Sequence, residues 1–363
     1  MTQFRPTRRT MIAGALAGSG LLARDPSARA APGGPARIES VRATYGAAVR
    51  GDALANDPAY AQALAERCRL IVPEGSLKWP VIRPNRETFD FADADRIAAF
   101  ASRLGIGLRG HTLAWYGAMP AWTDAITSRA EAERVLTQHI ERVVSRYAGL
   151  ITSWDVVNEA VPDDPAAAGD LRPFVWSNTL GADYIPIAFR AAAAADPAAR
   201  LVLNEYDLEY VGARFEGRRA ALLRIARRLV ESGVPLHAIG LQAHLFADRR
   251  IDRDGLQAFL REIRAMNLDV LVTELDVIDA SLPGDVETRD RRVAETARTF
   301  LAAVHEVVPP SAILTWGISD RYTWVPSYFT RSDGLPNRPL PLDATMRPKP
   351  LMAVLEDFTR SAA

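Results

Sequence analysis

About eight times between residues 43 and 358, a short apolar run, often β-branched, is followed by a loop, and six stretches between or after these runs carry helical spacing. The runs lie at 43–48, 70–72, 105–109, 152–157, 200–203, 238–243, 269–273 and 312–316. They are apolar on successive positions, as a strand buried on both faces requires. Between them, 92–104 carries Ile97, Ala98, Phe100, Ala101 and Leu104 on one helical stripe. Segment 131–147 carries Val135, Leu136, Ile140, Val143 and Val144 in the same way, and 214–230, 256–266, 288–308 and 351–358 follow suit. Strand–helix alternation predicts an α/β fold with a parallel sheet, and eight units predict a sheet closed into one (β/α)8 barrel of the TIM type. The rival is an open doubly wound sheet. When that fold binds nucleotides it carries an early glycine-rich phosphate turn, and the sequence has none. A chain of 363 residues accommodates one barrel of roughly 250 residues with long loops.

Chemistry in such a barrel collects at the C-terminal ends of the strands. Polar and aromatic residues stand at those positions. Glu74, Lys78 and Trp79 follow the second run, His111 and Trp115 the third, and Asn158 and Glu159 the fourth. Asn204, Glu205 and Tyr206 follow the fifth, Gln242 and His244 the sixth, Glu274 and Asp276 the seventh, and Trp316 the eighth. Glu159 and Glu274 each sit where a buried run gives out. Two carboxylates facing one another across a cleft are the minimum equipment for cleaving a glycosidic bond. The long, proline-rich and aromatic segment 317–349 is expected to wall that cleft.

Charge narrows the partners. Lys+Arg 44 balance Asp+Glu 44, so the chain has no general electrostatic claim on nucleic acid or an anionic membrane, and a neutral polysaccharide suits it better. Cys68 is the only cysteine, which excludes an intramolecular disulfide and a cysteine-based zinc site; it reads as a buried helix residue. The five histidines, His111, His139, His237, His244 and His305, include no ligand-spaced helical pair, so neither a metal nor another cofactor is expected. At the N-terminus, Arg8 and Arg9 precede an apolar run over 11–22, and Ala28-Arg29-Ala30 offers a small-x-small cleavage site. The run is shorter than the about 20 residues that span a bilayer. Residues 1–30 therefore read as a twin-arginine export signal, and 31–363 as one catalytic barrel acting in the periplasm or outside the cell, expected to be a monomer.

Several motifs, in this order, resemble glycoside hydrolase family 10, the endo-β-1,4-xylanases. They are Trp-Asp-Val-Val-Asn-Glu-Ala at 154–160 and Thr-Glu-Leu-Asp-Val at 273–277, with His-Thr-Leu-Ala-Trp at 111–115 and Ile-Gly-Leu-Gln-Ala-His-Leu at 239–245. Trp316-Gly317-Ile318-Ser319-Asp320 with Trp324, and Arg347-Pro348-Lys349-Pro350, complete the set, so the likeness runs over roughly 46–350. It implies that Glu159 is the general acid/base and Glu274 the nucleophile of a retaining enzyme acting on xylan or xylooligosaccharides. Retention requires carboxyl groups about 5–5.5 Å apart, and repulsion at that range helps keep one protonated. By the same resemblance Asn158 bonds the 2-hydroxyl of the sugar being cleaved, and Gln242 touches the catalytic carboxyls. His244 and Asp276 orient Glu274. Glu74, Lys78 and His111 bind the glycone sugars. Trp115, Trp316 and Trp324 line the cleft, while Trp79, Trp154 and Trp176 are packing residues.

Two positions depart from the family pattern. Gly75 stands where an asparagine normally binds the second glycone sugar, and Ala118 where a glutamine normally contacts the glycone. Each lost hydrogen bond is worth about 0.5–1.5 kcal/mol, which predicts altered binding beyond the cleaved sugar, with Tyr116 a candidate replacement contact. Two alternatives stay open from sequence. One is a retaining β-glycosidase of shifted specificity, for short or decorated xylooligosaccharides or aryl β-glycosides. The other is a carbohydrate-binding barrel without turnover, although a pure binder has no need of the catalytic pair.

Overall fold

The computed structural model describes residues 43–359; the expected export signal over 1–30 and the connector after it lie outside the described residues. The strands are β1 (Thr44–Val49), β2 (Leu70–Pro73), β3 (Gly107–Trp115), β4 (Ile151–Asn158), β5 (Arg200–Glu205), β6 (Ala238–Leu241), β7 (His244–Phe246), β8 (Asp269–Ile278) and β9 (Ala312–Thr315). They hydrogen-bond in the order β6-β5-β4-β3-β2-β1-β9-β8, and a further β6–β8 pairing closes the ring. All of these pairs are parallel. Closure removes the exposed edges of the sheet. The (β/α)8 expectation holds, and β7 is an extra strand paired with the outer half of β8.

Eight longer helices follow the barrel strands: α1 (Pro58–Arg67), α2 (Ala92–Leu104), α3 (Arg129–Arg146), α4 (Tyr184–Ala195), α5 (Ala213–Glu231), α6 (Arg253–Ala265), α7 (Val286–His305) and α8 (Pro350–Thr359). Local chemistry sets several of their ends. Asp57, Ser128, Asp252 and Asp285 each accept a backbone N–H in the first turn of the following helix. Gly105 caps α2 with φ 64°, a left-handed conformation that glycine adopts without a Cβ penalty. The third strand therefore begins at 107 rather than at the expected 105. Cys68 is buried, as expected, but it caps α1 instead of lying within it.

Apolar side chains fill two regions. Ala48, Val72, Val202, Ala238, Leu271, Ala312 and Leu314 form one cluster beneath Trp316; they come from six strands around the ring and plug the barrel interior. A larger cluster lies between the strands and the helices. The interior plug gives the polar layer above it a rigid floor.

Candidate active site

Above that floor, Asn204 of β5 and Thr273 of β8 point inward and meet. Thr273 Oγ1 donates to Asn204 Oδ1 at 2.7 Å. They fit because position 240 on β6 is glycine: a Cβ there would sit 2.1 Å from Asn204 Oδ1. Asn204 Nδ2 donates to Glu274 Oε1 at 2.7 Å and to Asn158 Oδ1 at 2.8 Å. Asn158 Nδ2 donates to Glu159 Oε1 at 3.2 Å, and Gln242 Nε2 bridges Asn158 Oδ1 at 3.2 Å and Glu159 Oε1 at 2.9 Å. One amide network thus ties both glutamates together across the barrel mouth.

Glu159 is the first residue past β4 and takes φ 58°. Side chains seldom adopt this region, and it persists only where the surroundings enforce it. Here its N–H donates to Asn204 O at 2.9 Å. Arg172 Nε donates to its carbonyl at 3.2 Å and Arg172 Nη2 to Val161 O at 2.8 Å. Arg218, fully buried, donates to Pro162 O at 2.6 Å and to Glu205 Oε1 at 2.6 Å, while Glu205 Oε2 accepts from Val161 N at 2.9 Å. The turn that aims Glu159 into the cleft is clamped by two arginines and a glutamate. Trp115 Nε1 then donates to Glu159 Oε2 at 2.8 Å, so N–H donors reach both carboxyl oxygens.

Glu274 is buried. Burial alone would raise its pKa, but the His244 hydrogen bond, with the charges of His111, His244 and Lys78, more than offsets it and holds the carboxyl below its ordinary value. His244 Nε2 lies 3.2 Å from Glu274 Oε2, and Nδ1 lies 2.9 Å from Asp276 Oδ1. That geometry comes from β7. β6 ends at Leu241; Ala243 beyond it takes φ 62°, and the chain re-pairs so that His244 is in register with Asp276. The expected strand over 238–243 therefore stops at Leu241, and a separate short strand begins at His244. Asp276 is buried and also accepts from Trp324 Nε1 at 2.7 Å.

Burial alone would lower the His244 pKa, but Asp276 and Glu274 raise it well above the ordinary 6.5. A protonated ring can donate from both nitrogens, to Glu274 and to Asp276. Its stabilising contribution is complete below pH 6.5 and is lost as pH rises through the raised value. Nitrogen NMR is therefore expected to find His244 still doubly protonated above pH 6.5; a neutral ring there would remove the charge that we assign to the support of Glu274.

At the β2–β3 side, His111 Nδ1 lies 3.0 Å from Asp155 Oδ2 and its ring meets Trp316 edge-on at 5.0 Å. Lys78 Nζ sits 4.7 Å above the Trp115 ring and 5.7 Å from that of Trp316. Burial lowers the Lys78 pKa, against the pull of Glu274, Glu74 and Glu159. Burial also raises Glu74 to about 7, although Arg50 and Lys78 oppose it.

These side chains line one cleft of about 730 Å3. It receives Glu74, Lys78, His111, Trp115, Asn158, Glu159, Gln242, His244, Glu274, Trp316 and Trp324, that is, every expected site residue except Asp276, which lies beneath His244. Trp324, Tyr328 and Phe329 bring segment 317–349 to its wall, as expected. Tyr116 lines the cleft as well, with the Arg172 guanidinium 4.2 Å from its ring centre. Around position 75 the structure is open: a Cβ would meet nothing within 4 Å. Trp79, Trp154 and Trp176 are buried packing residues. Sequence reasoning placed Asn204 at the rim without a role, and it passed over Thr273, Arg172 and Arg218. The signal for Asn204 was available, since a polar residue two positions past an inward Val202 must also face inward.

The family model for glycosyl hydrolase family 10 matches residues 36–357. Endo-1,4-beta-xylanase A of Fusarium oxysporum f. sp. lycopersici is 38% identical over 267 residues, covering 71% of this chain and 79% of that protein. Endo-1,4-beta-xylanase 1 of Gibberella zeae is 36% identical, with 71% and 73% covered. Among solved structures, xylanase 10B from Thermotoga petrophila in complex with xylobiose superposes with a TM-score of 0.79 at 29% identity, over 87% of this chain and 94% of that one. The native Thermotoga maritima xylanase 10B gives 0.78 at 30% identity, with the same shares covered. The chain belongs to glycosyl hydrolase family 10.

Proposed function

We propose that this protein is a retaining endo-1,4-β-xylanase in which Glu159 is the acid/base and Glu274 the nucleophile. The observation that carries the assignment is the different support of the two carboxyls. Glu274 is buried, its pKa is held below the ordinary value, and His244 Nε2 lies 3.2 Å from its carboxyl. Glu159 is half-exposed at the cleft surface on a clamped turn. The first can attack an anomeric carbon, and the second can reach a leaving oxygen.

In the first step Glu159 gives its proton to the glycosidic oxygen while Glu274 attacks the anomeric carbon from the opposite face. The C–O bond breaks, the aglycone leaves as an alcohol, and an α-linked glycosyl ester remains. N–H groups of Trp115, Asn158 and Gln242 stabilise the carboxylate that Glu159 becomes. In the second step Glu159 takes a proton from water, the water oxygen attacks the anomeric carbon, and Glu274 departs. Two inversions give net retention.

Freshly released xylooligosaccharides from linear xylan are therefore expected to appear first as the β-anomer by proton NMR, before mutarotation. An α-anomer first would overturn the retaining assignment. No release from linear xylan by folded protein would overturn the xylanase reading. The open space at Gly75 should show itself in the same experiment as a product set that depends weakly on the second glycone sugar.

A further inference from the structure

The cleft wall opposite Glu74 and Lys78 is built by the loops after β5 and β7, across the barrel from β2. Most of the cationic groups lining the cleft already have anionic partners. Asp163 lies 3.1 Å from Arg172 Nη2 and accepts from Tyr206 Oη. Asp207 lies 2.6 Å from Arg214 Nη2. His244 is held between Glu274 and Asp276, and Lys78 stands among three glutamates. Arg249 differs. It lines the cleft, yet its guanidinium has no ion-pair or hydrogen-bond partner among the described residues.

Although Arg249 is exposed, it stacks on aromatic rings. The guanidinium lies 3.7 Å from the Phe246 ring centre and 5.5 Å from that of Tyr210, and Arg249 N–H donates to Phe246 O at 3.1 Å. Phe246 is braced in turn, edge-on to Phe329 at 5.1 Å, and its N–H donates to Tyr210 Oη at 2.7 Å. A guanidinium stacked on an aromatic face keeps its planar rim of N–H donors free. That rim matches the two oxygens of a carboxylate, and little rotamer freedom remains to be lost on binding. A neutral xylose backbone offers hydroxyl acceptors but no charged, bidentate partner.

We propose that Arg249 receives the carboxylate of a uronic acid branch on the xylan chain, in the half of the cleft that holds the leaving portion of the polymer. This names a substrate class for the xylanase reading and rests on it. Bidentate pairing in a partly enclosed cleft is expected to favour the acidic polymer about tenfold at low ionic strength, and the preference should shrink as salt is added.

The test compares kcat/KM on glucuronoxylan with kcat/KM on the same polymer after its carboxyl groups are reduced to primary alcohols, with linear xylohexaose as a third substrate. The native-to-reduced ratio should be about ten for the parent enzyme, near one for Arg249→Met, and intermediate for Arg249→Lys, which keeps charge but loses the planar fork. Because the readout is a ratio, a general loss of activity does not imitate it. A parent ratio near one overturns the proposal, as does a parent-like ratio in Arg249→Met. Failure to cleave xylohexaose is a separate outcome, which removes the xylanase reading and this inference with it.

Discussion

Replacing Glu274 with alanine is expected to lower turnover of xylooligosaccharides by at least about 10,000-fold, because no other group in the cleft can form the glycosyl ester. Three structural facts make the effect specific. Glu274 is buried and sits at the end of the amide network from Asn204. Its charge is matched to the His244 imidazolium. Its backbone N–H donates to Gln242 O at 3.0 Å, so the strand position survives loss of the side chain. The variant should therefore fold, and His244 should keep its bond to Asp276. The removed carboxylate also leaves room for a small anion on the attacking face. With a xylosyl donor carrying a good leaving group, azide is expected to restore turnover and to yield the α-xylosyl azide, the product of one inversion. A rate within tenfold of the parent would place the nucleophile elsewhere. A β-azide would place the vacated carboxyl on the leaving-group side of the sugar.

The barrel was legible in the sequence because most positions of its strands are buried on both faces, so that short apolar runs recur between helical stretches. Where expectation and structure part, a backbone conformation intervened. Gly105 delays β3, and the turn at Ala243 separates a shortened sixth strand from β7. Helix α4 escaped notice because Tyr-Ile-Pro-Ile-Ala-Phe followed by five alanines and one arginine has no polar face to set a stripe. The catalytic residues were visible through motifs, but their support was not. The role of Asn204 depends on Thr273 and on the missing Cβ of Gly240, residues on three different strands. Arg172 and Arg218 look like ordinary surface arginines in a loop and a helix, and only the closed fold turns them onto the Glu159 turn. Arg249 gave no sequence signal at all, since its meaning lies in what it stacks on and in what it lacks.

Replacing Glu159 with alanine should produce a different defect from the loss of Glu274. Natural xylooligosaccharides leave as poor, strongly basic alkoxides, so loss of the proton donor is expected to slow their cleavage by about 1,000-fold. A dinitrophenyl xyloside needs no such proton, and its first step should be nearly unimpaired. Its second step should not be spared, because water then lacks the base that Glu159 supplies. The glycosyl ester on Glu274 should accumulate, seen as a burst of phenolate followed by slow turnover and as a mass increase on the peptide carrying Glu274. The donors Trp115, Asn158 and Gln242 would face an empty position, which a small anion can enter. Azide needs no base, so it should accelerate the slow phase and yield the β-xylosyl azide, the product of two inversions. The two variants together fix the assignment by stereochemistry rather than by rate alone. An α-azide from the Glu159 variant and a β-azide from the Glu274 variant would mean that the roles of the two glutamates are reversed.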